Sequence, residues 1–237
     1  MCGRYVHPDE AAIERAWHIG RHNNNPFGRR FNVAPTMSVP ILRRTEDGDT
    51  LELTTARWSF VPPWWKEAKP PTLTFNARNE EAAKKPMWRY AYAHGRAHCL
   101  IPAESWYEWQ VRERIDPDTG HVIAYKQPFC VRRPDGRPFA FAGLLSFWKP
   151  LDRNEAQLTC SIITQPAVAS IVAVHERMPT VLPDRLTDAW LDPNLNDANV
   201  TAALLAEPES DFIFFPVSTR VNSARYDGPE LIEPELV

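Results

Sequence analysis

Short runs of apolar residues, separated by turn residues, recur along most of the chain, and runs of this length predict strands. The predicted strands are Val39–Arg44, Leu51–Phe60, Ala97–Ile101, Trp106–Val111, His121–Tyr125, Phe129–Val131, Ala140–Trp148, Leu158–Thr164 and Phe212–Val217. The predicted helices are Pro8–Ile19 with Gly20 as its C-cap, Glu80–Ala93 with an interruption at Pro86, Pro183–Trp190 and Asp197–Ala206. Residues 21–37 and most of 61–78 are predicted as loops.

Many short strands with few long helices between them favour an antiparallel sheet that curls or closes. We therefore expect an α+β fold, with a largely antiparallel, barrel-like β core and peripheral short helices. No repeat or linker divides the chain, so residues 1–237 are expected to form a single domain. The absence of a GxGxxG motif and of strand–helix alternation argues against a doubly wound nucleotide-binding fold.

The composition is that of an ordinary globular protein, with 43% hydrophobic and 24% charged residues. No apolar run approaches the ~18–20 residues of a membrane span, and the N-terminal residues do not resemble a secretory signal. Four cysteines stand at positions 2, 99, 130 and 160 without a CxxC pair, which fits a reducing compartment better than a disulfide framework or a zinc site. We expect a cytoplasmic protein without metal or cofactor and without membrane contact.

The charge is unevenly distributed, although the net charge of −3 argues against a protein that coats DNA generically. Residues 1–100 carry 15 basic and 10 acidic residues, whereas residues 101–237 carry 12 and 20. A basic first half could face an anionic ligand, but a chance distribution explains the asymmetry equally well. Trp64 and Trp65 lie in the proline-rich stretch "FVPPWWKEAKPP", and so much indole in a loop indicates more than a connector.

Cys2 raises the first chemical question, because removal of Met1 would give it a free α-amine beside its thiol. The amine has an unperturbed pKa of roughly 7.7–8.0 and the thiol one of about 8.5. Such a 1,2-aminothiol can attack an acyl carbon through sulfur, or condense with an aldehyde through nitrogen and then close a ring through sulfur. The residues alone also allow a cysteine without any chemical role.

Four further polar residues admit both a structural and a chemical interpretation. Glu108 alternates with aromatic residues in "SWYEWQ", where burial would raise its pKa and suit it to proton transfer; a strand glutamate on a solvated face is the plainer alternative. His175 follows an apolar run and could equally be a core residue. Asn76 and Arg78 alternate in "FNARNE", so they either point the same way from an extended segment or belong to a turn.

Taken together, the stretches "MCGRY", "RFNVAP", "FNARNE", "WYEW" and "HERMP" occur in this order over nearly the whole chain. This combination resembles the SOS response-associated peptidase (SRAP) family, whose members process abasic sites in DNA. The resemblance extends from Cys2 through "RWSFVPPWW" to "PVSTRVNSARYDGPELI". One departure is visible, since Ser59 follows Trp58 where the family usually has glycine. That change puts the local loop shape in doubt more than the chemistry.

The resemblance implies a covalent thiazolidine between Cys2, exposed by loss of Met1, and the aldehyde of an opened abasic sugar. The residues that it assigns to catalysis are Cys2, Asn76, Glu108 and His175. The residues that it assigns to DNA binding are Arg4, Asn32, Pro35, Trp64, Trp65, Arg78 and Arg177. The arginines would contact phosphates, while the tryptophans with Pro35 would stack on unpaired bases. The implied partner is single-stranded DNA containing abasic sites, bound by a monomer that is nucleoid-associated when on DNA.

Two other functions remain open at this point. An N-terminal nucleophile hydrolase would use the Cys2 thiol to cleave an amide, with the free amine as its base. A non-catalytic single-strand binder would leave Cys2 without a role. Of these three functions, only thiazolidine formation by Cys2 would give a denaturation-resistant adduct with abasic DNA.

Overall fold

The computed structural model describes residues 2–19, 27–48, 50–67, 74–152 and 154–235. The predicted C-cap at Gly20, part of the predicted loops at 21–26 and 68–73, and the processing of Met1 lie outside these residues. Among the described helices, none combines the length and the apolar character that crossing a membrane requires.

Thirteen strands and five short α-helices make up the described part of the chain. The strands are β1 Tyr5–His7, β2 Arg30–Val33, β3 Ser38–Arg44, β4 Leu51–Trp58, β5 Asn76–Arg78, β6 His98–Ala103, β7 Ser105–Ile115, β8 Val122–Arg132, β9 Phe139–Trp148, β10 Gln157–Pro166, β11 Arg177–Pro179, β12 Val181–Leu182 and β13 Ile213–Pro216. The helices are α1 Glu10–Ala16, α2 Asn79–Ala82, α3 Arg89–Ala93, α4 Thr187–Trp190 and α5 Ala198–Leu205. Short 3-10 turns add Gly95–Ala97, Asp184–Leu186, Thr219–Asn222 and Pro229–Ile232.

Five strands close into a barrel in the order β10-β4-β3-β6-β9 and back to β10. The pairs are antiparallel except β4 with β10, which run parallel where Cys160 lies opposite Trp58. Strands β5 and β11 extend the sheet beside β10, and β12 pairs with β9. The predicted α+β fold with a largely antiparallel, barrel-like core and short peripheral helices is confirmed.

A second sheet of five antiparallel strands runs in the order β13-β8-β7-β1-β2. Its longest members, β7 and β8, pair over their full length from Ser105 opposite Arg132 to Ile115 opposite Val122. Strand β1 pairs with β2 on one side and with β7 on the other, so the start of the chain is held between two strands.

Aromatic side chains join this second sheet to the barrel. Tyr5 of β1 makes edge-to-face contacts with Trp58, at 5.2 Å between ring centroids, and with Phe141, at 5.7 Å. Trp106 of β7 packs in the same way on Phe139, at 5.8 Å. Such pairs contribute about 0.5–1.5 kcal/mol each beyond the burial of their area. The N-terminal strand is therefore anchored by the core itself.

Several predicted boundaries are revised by the structure. The expected helix at Glu80–Ala93 is indeed interrupted near Pro86, and it forms α2 and α3. The segments 21–37 and 61–78, which were expected to be loops, contain the short strands β2 and β5. Strand β2 pairs with β1, and β5 pairs with β10. The expected strands His121–Tyr125 and Phe129–Val131 are one strand, β8, which runs through Pro128.

Candidate functional site

Cys2 lies at the centre of the site and is completely buried. It packs in the core cluster that contains Tyr5 and Trp58, and its Sγ lies 3.8 Å from the backbone carbonyl of Arg4. Burial raises the pKa of the Cys2 thiol well above its usual value, and the negative charge of Glu108 raises it further. The thiol is therefore protonated at neutral pH.

Asn76 contacts Cys2 directly, because its Nδ2 donates to the Cys2 carbonyl over 2.7 Å. The parallel pairing of β5 with β10 sets Asn76 opposite Ile162 and thereby orients the amide toward the N-terminal residues. The Oδ1 of Asn76 is buried and has no hydrogen-bond partner within the described residues. One end of the amide thus fixes Cys2, while the other end is a buried acceptor that no described residue uses.

Glu108 lies beside the N-terminal residues because β7 pairs with β1. The backbone N–H of Tyr107 donates to the carbonyl of Arg4 over 3.0 Å, and the next residue of β7 is Glu108. The carboxyl is 1% exposed, and this burial raises its pKa from 4.5 to about 7. A carboxyl with such a pKa can donate and accept protons near neutral pH.

His175 lies half-buried on the turn that precedes β11. Its Nδ1 lies 3.0 Å from the backbone nitrogen and 3.2 Å from the carbonyl oxygen of Arg177, so it accepts from the N–H in one tautomer and donates to the carbonyl in the other. Burial lowers the pKa of His175, so the ring is neutral at physiological pH. Gln110 of β7 donates to the carbonyl of Ala173 over 2.8 Å and ties this turn to the strand that carries Glu108.

Arg78 and Arg177 flank Thr164 at the end of β10. Arg78 is paired with Thr164 by strand register, and its side chain is 49% exposed. Arg177 is only 13% exposed and forms a bidentate ion pair with Glu80, at 2.8 and 3.0 Å. Of these two predicted phosphate contacts, only Arg78 presents a largely solvent-accessible guanidinium.

Arg4 and Asn32 bind the C-terminal part of the chain. Arg4 donates to Asn32 Oδ1 over 2.8 Å and to the carbonyls of Val221 and Asn222 over 2.9 and 3.2 Å. The Asn32 amide, 1% exposed, donates to three carbonyls of the same segment, those of residues 221, 223 and 226. The Asn32 side chain therefore has no exposed surface to offer a DNA strand; it holds the C-terminal segment in place.

Trp64 and Trp65 lie in the segment that follows β4, and Pro35 lies in the turn between β2 and β3. Trp64 is 57% exposed, and its ring lies edge-to-face on Trp65 with centroids 6.1 Å apart. Its exposed side borders an apolar groove of about 650 Å³ that also contains Tyr90 and Phe147 but not Cys2. Pro35 precedes Thr36, whose N–H donates to the Trp58 carbonyl over 2.8 Å, so this turn is fixed to β4.

The structure adds residues that the sequence did not single out. Glu80 belongs to the motif "FNARNE", and its ion-pair partner Arg177 lies 97 positions away along the chain. Asp227 lies in the C-terminal stretch "PVSTRVNSARYDGPELI" and accepts hydrogen bonds from the backbone N–H groups of Phe31 and Asn32. Within the described ranges, no three His, Cys, Asp or Glu side chains converge as metal ligands would.

Comparison with known proteins extends these observations. The family model described as "SOS response associated peptidase (SRAP)" matches residues 1–224. The chain is 36% identical to "Abasic site processing protein YoqW" of Bacillus subtilis, covering 98% of this chain and 99% of that protein. It is 33% identical to "Abasic site processing protein YedK" of Escherichia coli, covering 99% and 100%. A crystal structure of a Bacteroides thetaiotaomicron protein has the same fold, with a TM-score of 0.78, 22% identity, and coverage of 98% and 100%.

Proposed function

The chain belongs to the SOS response associated peptidase (SRAP) family, and on that basis we propose that it processes abasic sites in single-stranded DNA. The reaction is a covalent capture, in which Cys2 without Met1 forms a thiazolidine with the sugar aldehyde. The observation that supports this most is the grouping of Asn76 and Glu108 around Cys2 at the start of β1.

The capture proceeds in two bond-forming steps. The Cys2 amine attacks C1′ of the opened deoxyribose and gives a carbinolamine, which loses water to become an imine. The thiol sulfur then adds to the imine carbon while the S–H proton passes to nitrogen, which closes the five-membered ring. No oxidant or reductant is needed. As long as the peptide bond to Met1 is intact, the Cys2 nitrogen is an amide and cannot start this sequence.

Glu108 is the proton shuttle of this mechanism. With a pKa of about 7, its carboxyl can donate a proton to the departing hydroxyl of the carbinolamine and accept one from the attacking amine. Asn76 holds the Cys2 backbone through its amide and offers the buried Oδ1 to the amine or to the sugar. His175, a neutral imidazole, donates a hydrogen bond to a sugar oxygen.

DNA is held both by charge and by stacking. Arg78 supplies an exposed guanidinium whose fork suits a phosphate, and Trp64 supplies an exposed indole for an unpaired base. Arg177 is a second phosphate contact, whereas Arg4 and Asn32 act by fixing the segment around Cys2. The modest net charge of −3 is consistent with a binder that relies on a few local contacts.

The state of the thiol distinguishes this proposal from the amide hydrolase. A cysteine that attacks an acyl carbon acts as the thiolate, and catalytic cysteines therefore have lowered pKa values. The pKa of Cys2 is raised by burial and by Glu108. A protonated thiol that adds to an imine after the amine has reacted does not need to be ionised in advance.

Denaturing electrophoresis with a single-stranded oligonucleotide containing one abasic site tests the proposal. We expect a denaturation-resistant protein–DNA band with abasic DNA, and none with the undamaged or the reduced-site oligonucleotide, which lack an aldehyde. Intact-mass measurement of the same preparation establishes the fraction without Met1, which sets the maximum yield. A preparation that lacks Met1 and forms no adduct would refute the capture reaction.

A further inference from the structure

Arg177, a proposed phosphate contact, is already bound by an anion of its own chain. Its Nη1 and Nη2 donate to the two carboxylate oxygens of Glu80 over 2.8 and 3.0 Å. Its Nη2 also donates to the backbone carbonyl of Thr164 over 2.9 Å. The guanidinium thus makes, with Glu80, the same two-pronged contact that it would make with a phosphate.

A carboxylate and a phosphate cannot occupy this fork together. Both ligands need the same pair of N–H groups, and two anions brought that close repel each other. The neighbouring cation behaves differently, because Arg78 lies 3.9 Å from Glu81, is 49% exposed, and makes no bidentate pair within the described residues. DNA therefore meets one accessible arginine and one that must first be released.

From this geometry we propose that Glu80 is an intramolecular competitor for DNA phosphate at Arg177, so that its carboxylate must leave the guanidinium before the strand is fully bound. The inference rests on the proposed DNA-binding function and adds to it a competition within the protein. Glu80 lies on the four-residue helix α2, directly after the strand that carries Asn76, and its side chain is 46% exposed. It can therefore turn into solvent without unpacking the core.

The competing contact has a measurable consequence for binding. Removal of the Glu80 charge should strengthen non-covalent binding of undamaged single-stranded DNA by about fivefold, the factor expected for breaking one partly exposed ion pair. The dependence on salt should also change. In the wild type, the Glu80 carboxylate that leaves Arg177 attracts a cation from solution and offsets part of the cation release from DNA, so without Glu80 the slope of log K against log salt should become steeper by up to about 0.7.

The experiment compares Glu80→Gln and Glu80→Ala with the wild type by fluorescence anisotropy, using an undamaged oligonucleotide so that covalent capture does not contribute. Glu81→Gln is the matched control, because it removes the same charge from the same helix, while its carboxylate pairs closely with Lys85, reaches Arg78 only at 3.9 Å and makes no ion pair with Arg177. Arg177→Gln and the double variant Glu80→Gln/Arg177→Gln complete a cycle. Thermal unfolding of each variant establishes that it is folded.

We expect tighter binding for both Glu80 variants, a much smaller change for Glu81→Gln, and no gain from Glu80→Gln when Arg177 is already glutamine. Equal or weaker binding by folded Glu80 variants, with wild-type binding intact and weakened by Arg177→Gln, would overturn the competition alone. A gain of equal size in Glu81→Gln would also overturn it, since the effect would then be general charge. Failure of the wild type to bind, or an unaffected Arg177→Gln, would instead count against the proposed phosphate contact.

Discussion

Glu108→Gln should stabilise the protein above neutral pH while slowing its chemistry. The pKa of Glu108 is raised by burial from 4.5 to about 7, and a one-unit difference in pKa corresponds to roughly 1.36 kcal/mol. The folded protein therefore binds this proton more tightly than the unfolded chain. The resulting stability is fully present below pH 4.5 and is lost as the pH rises through about 7, a loss of about 3 kcal/mol.

Denaturant unfolding at several pH values between 4.5 and 8.5 measures this effect. The difference in unfolding free energy between wild type and Glu108→Gln should change by about 3 kcal/mol in favour of the variant from the acid to the alkaline end. Subtracting the two proteins at each pH removes the contributions of all other titrating groups. A difference that stays constant across the range would show that Glu108 does not titrate with a raised pKa.

The same variant tests the proton shuttle in both directions. Formation and reversal of the thiazolidine pass through the same imine, so one shuttle must serve both, and a positioned acid–base group contributes typically about 10²–10⁴-fold. We expect Glu108→Gln to slow adduct formation and the transfer of preformed adduct to competitor DNA by similar factors. If Glu108→Gln forms the adduct slowly but releases it at the wild-type rate, another group must transfer the proton during release. His175 of the motif "HERMP" is then the first candidate.

Three further outcomes follow from the structure. Cys2→Ser should give only an imine with abasic DNA, trapped by borohydride and lost without it, and a stable adduct would remove sulfur from the mechanism. Asn32→Ala should lower the unfolding free energy by about 3 kcal/mol in denaturant titrations, because it leaves one buried carbonyl, two partly buried carbonyls and Arg4 without the Asn32 partner. Trp64→Ala should weaken single-strand binding by about 1–3 kcal/mol, measured by anisotropy, while leaving the unfolding free energy within about 0.5 kcal/mol of wild type because the ring is 57% exposed.

Short apolar runs predict the long strands and a barrel-like core, but they do not predict which strands pair to close the barrel. Strands such as β3, β4 and β9 are apolar runs bounded by turn residues, and their predicted boundaries agree with the observed ones to within a few residues. The parallel pairing of β4 with β10 joins segments that are about a hundred residues apart, and no local pattern encodes it. The strands β1 and β5 are only three residues long, so their sequences show no strand pattern. They are held in place by the longer strands β7 and β10, with which they pair.

The composition of the site could be predicted from its motifs, but the state of its arginines could not. The motifs assign both Arg78 and Arg177 to contact with DNA phosphates. The fold distinguishes them, because Glu80 reaches Arg177 across 97 positions while Arg78 keeps half of its side chain in solvent. Likewise the role of Asn32 depends on carbonyls near the end of the chain, and nothing in "RFNVAP" indicates such partners.

The attachment of Arg4 and Asn32 to residues 221–226 fixes an order of events during protein synthesis. Cys2 leaves the ribosome about 220 residues ahead of the segment that holds its neighbours. At about 5–20 residues per second, the interval between the two is roughly 10 to 45 s. Because Cys2 is completely buried in the finished fold, it is most accessible to other proteins during that interval, on the nascent chain.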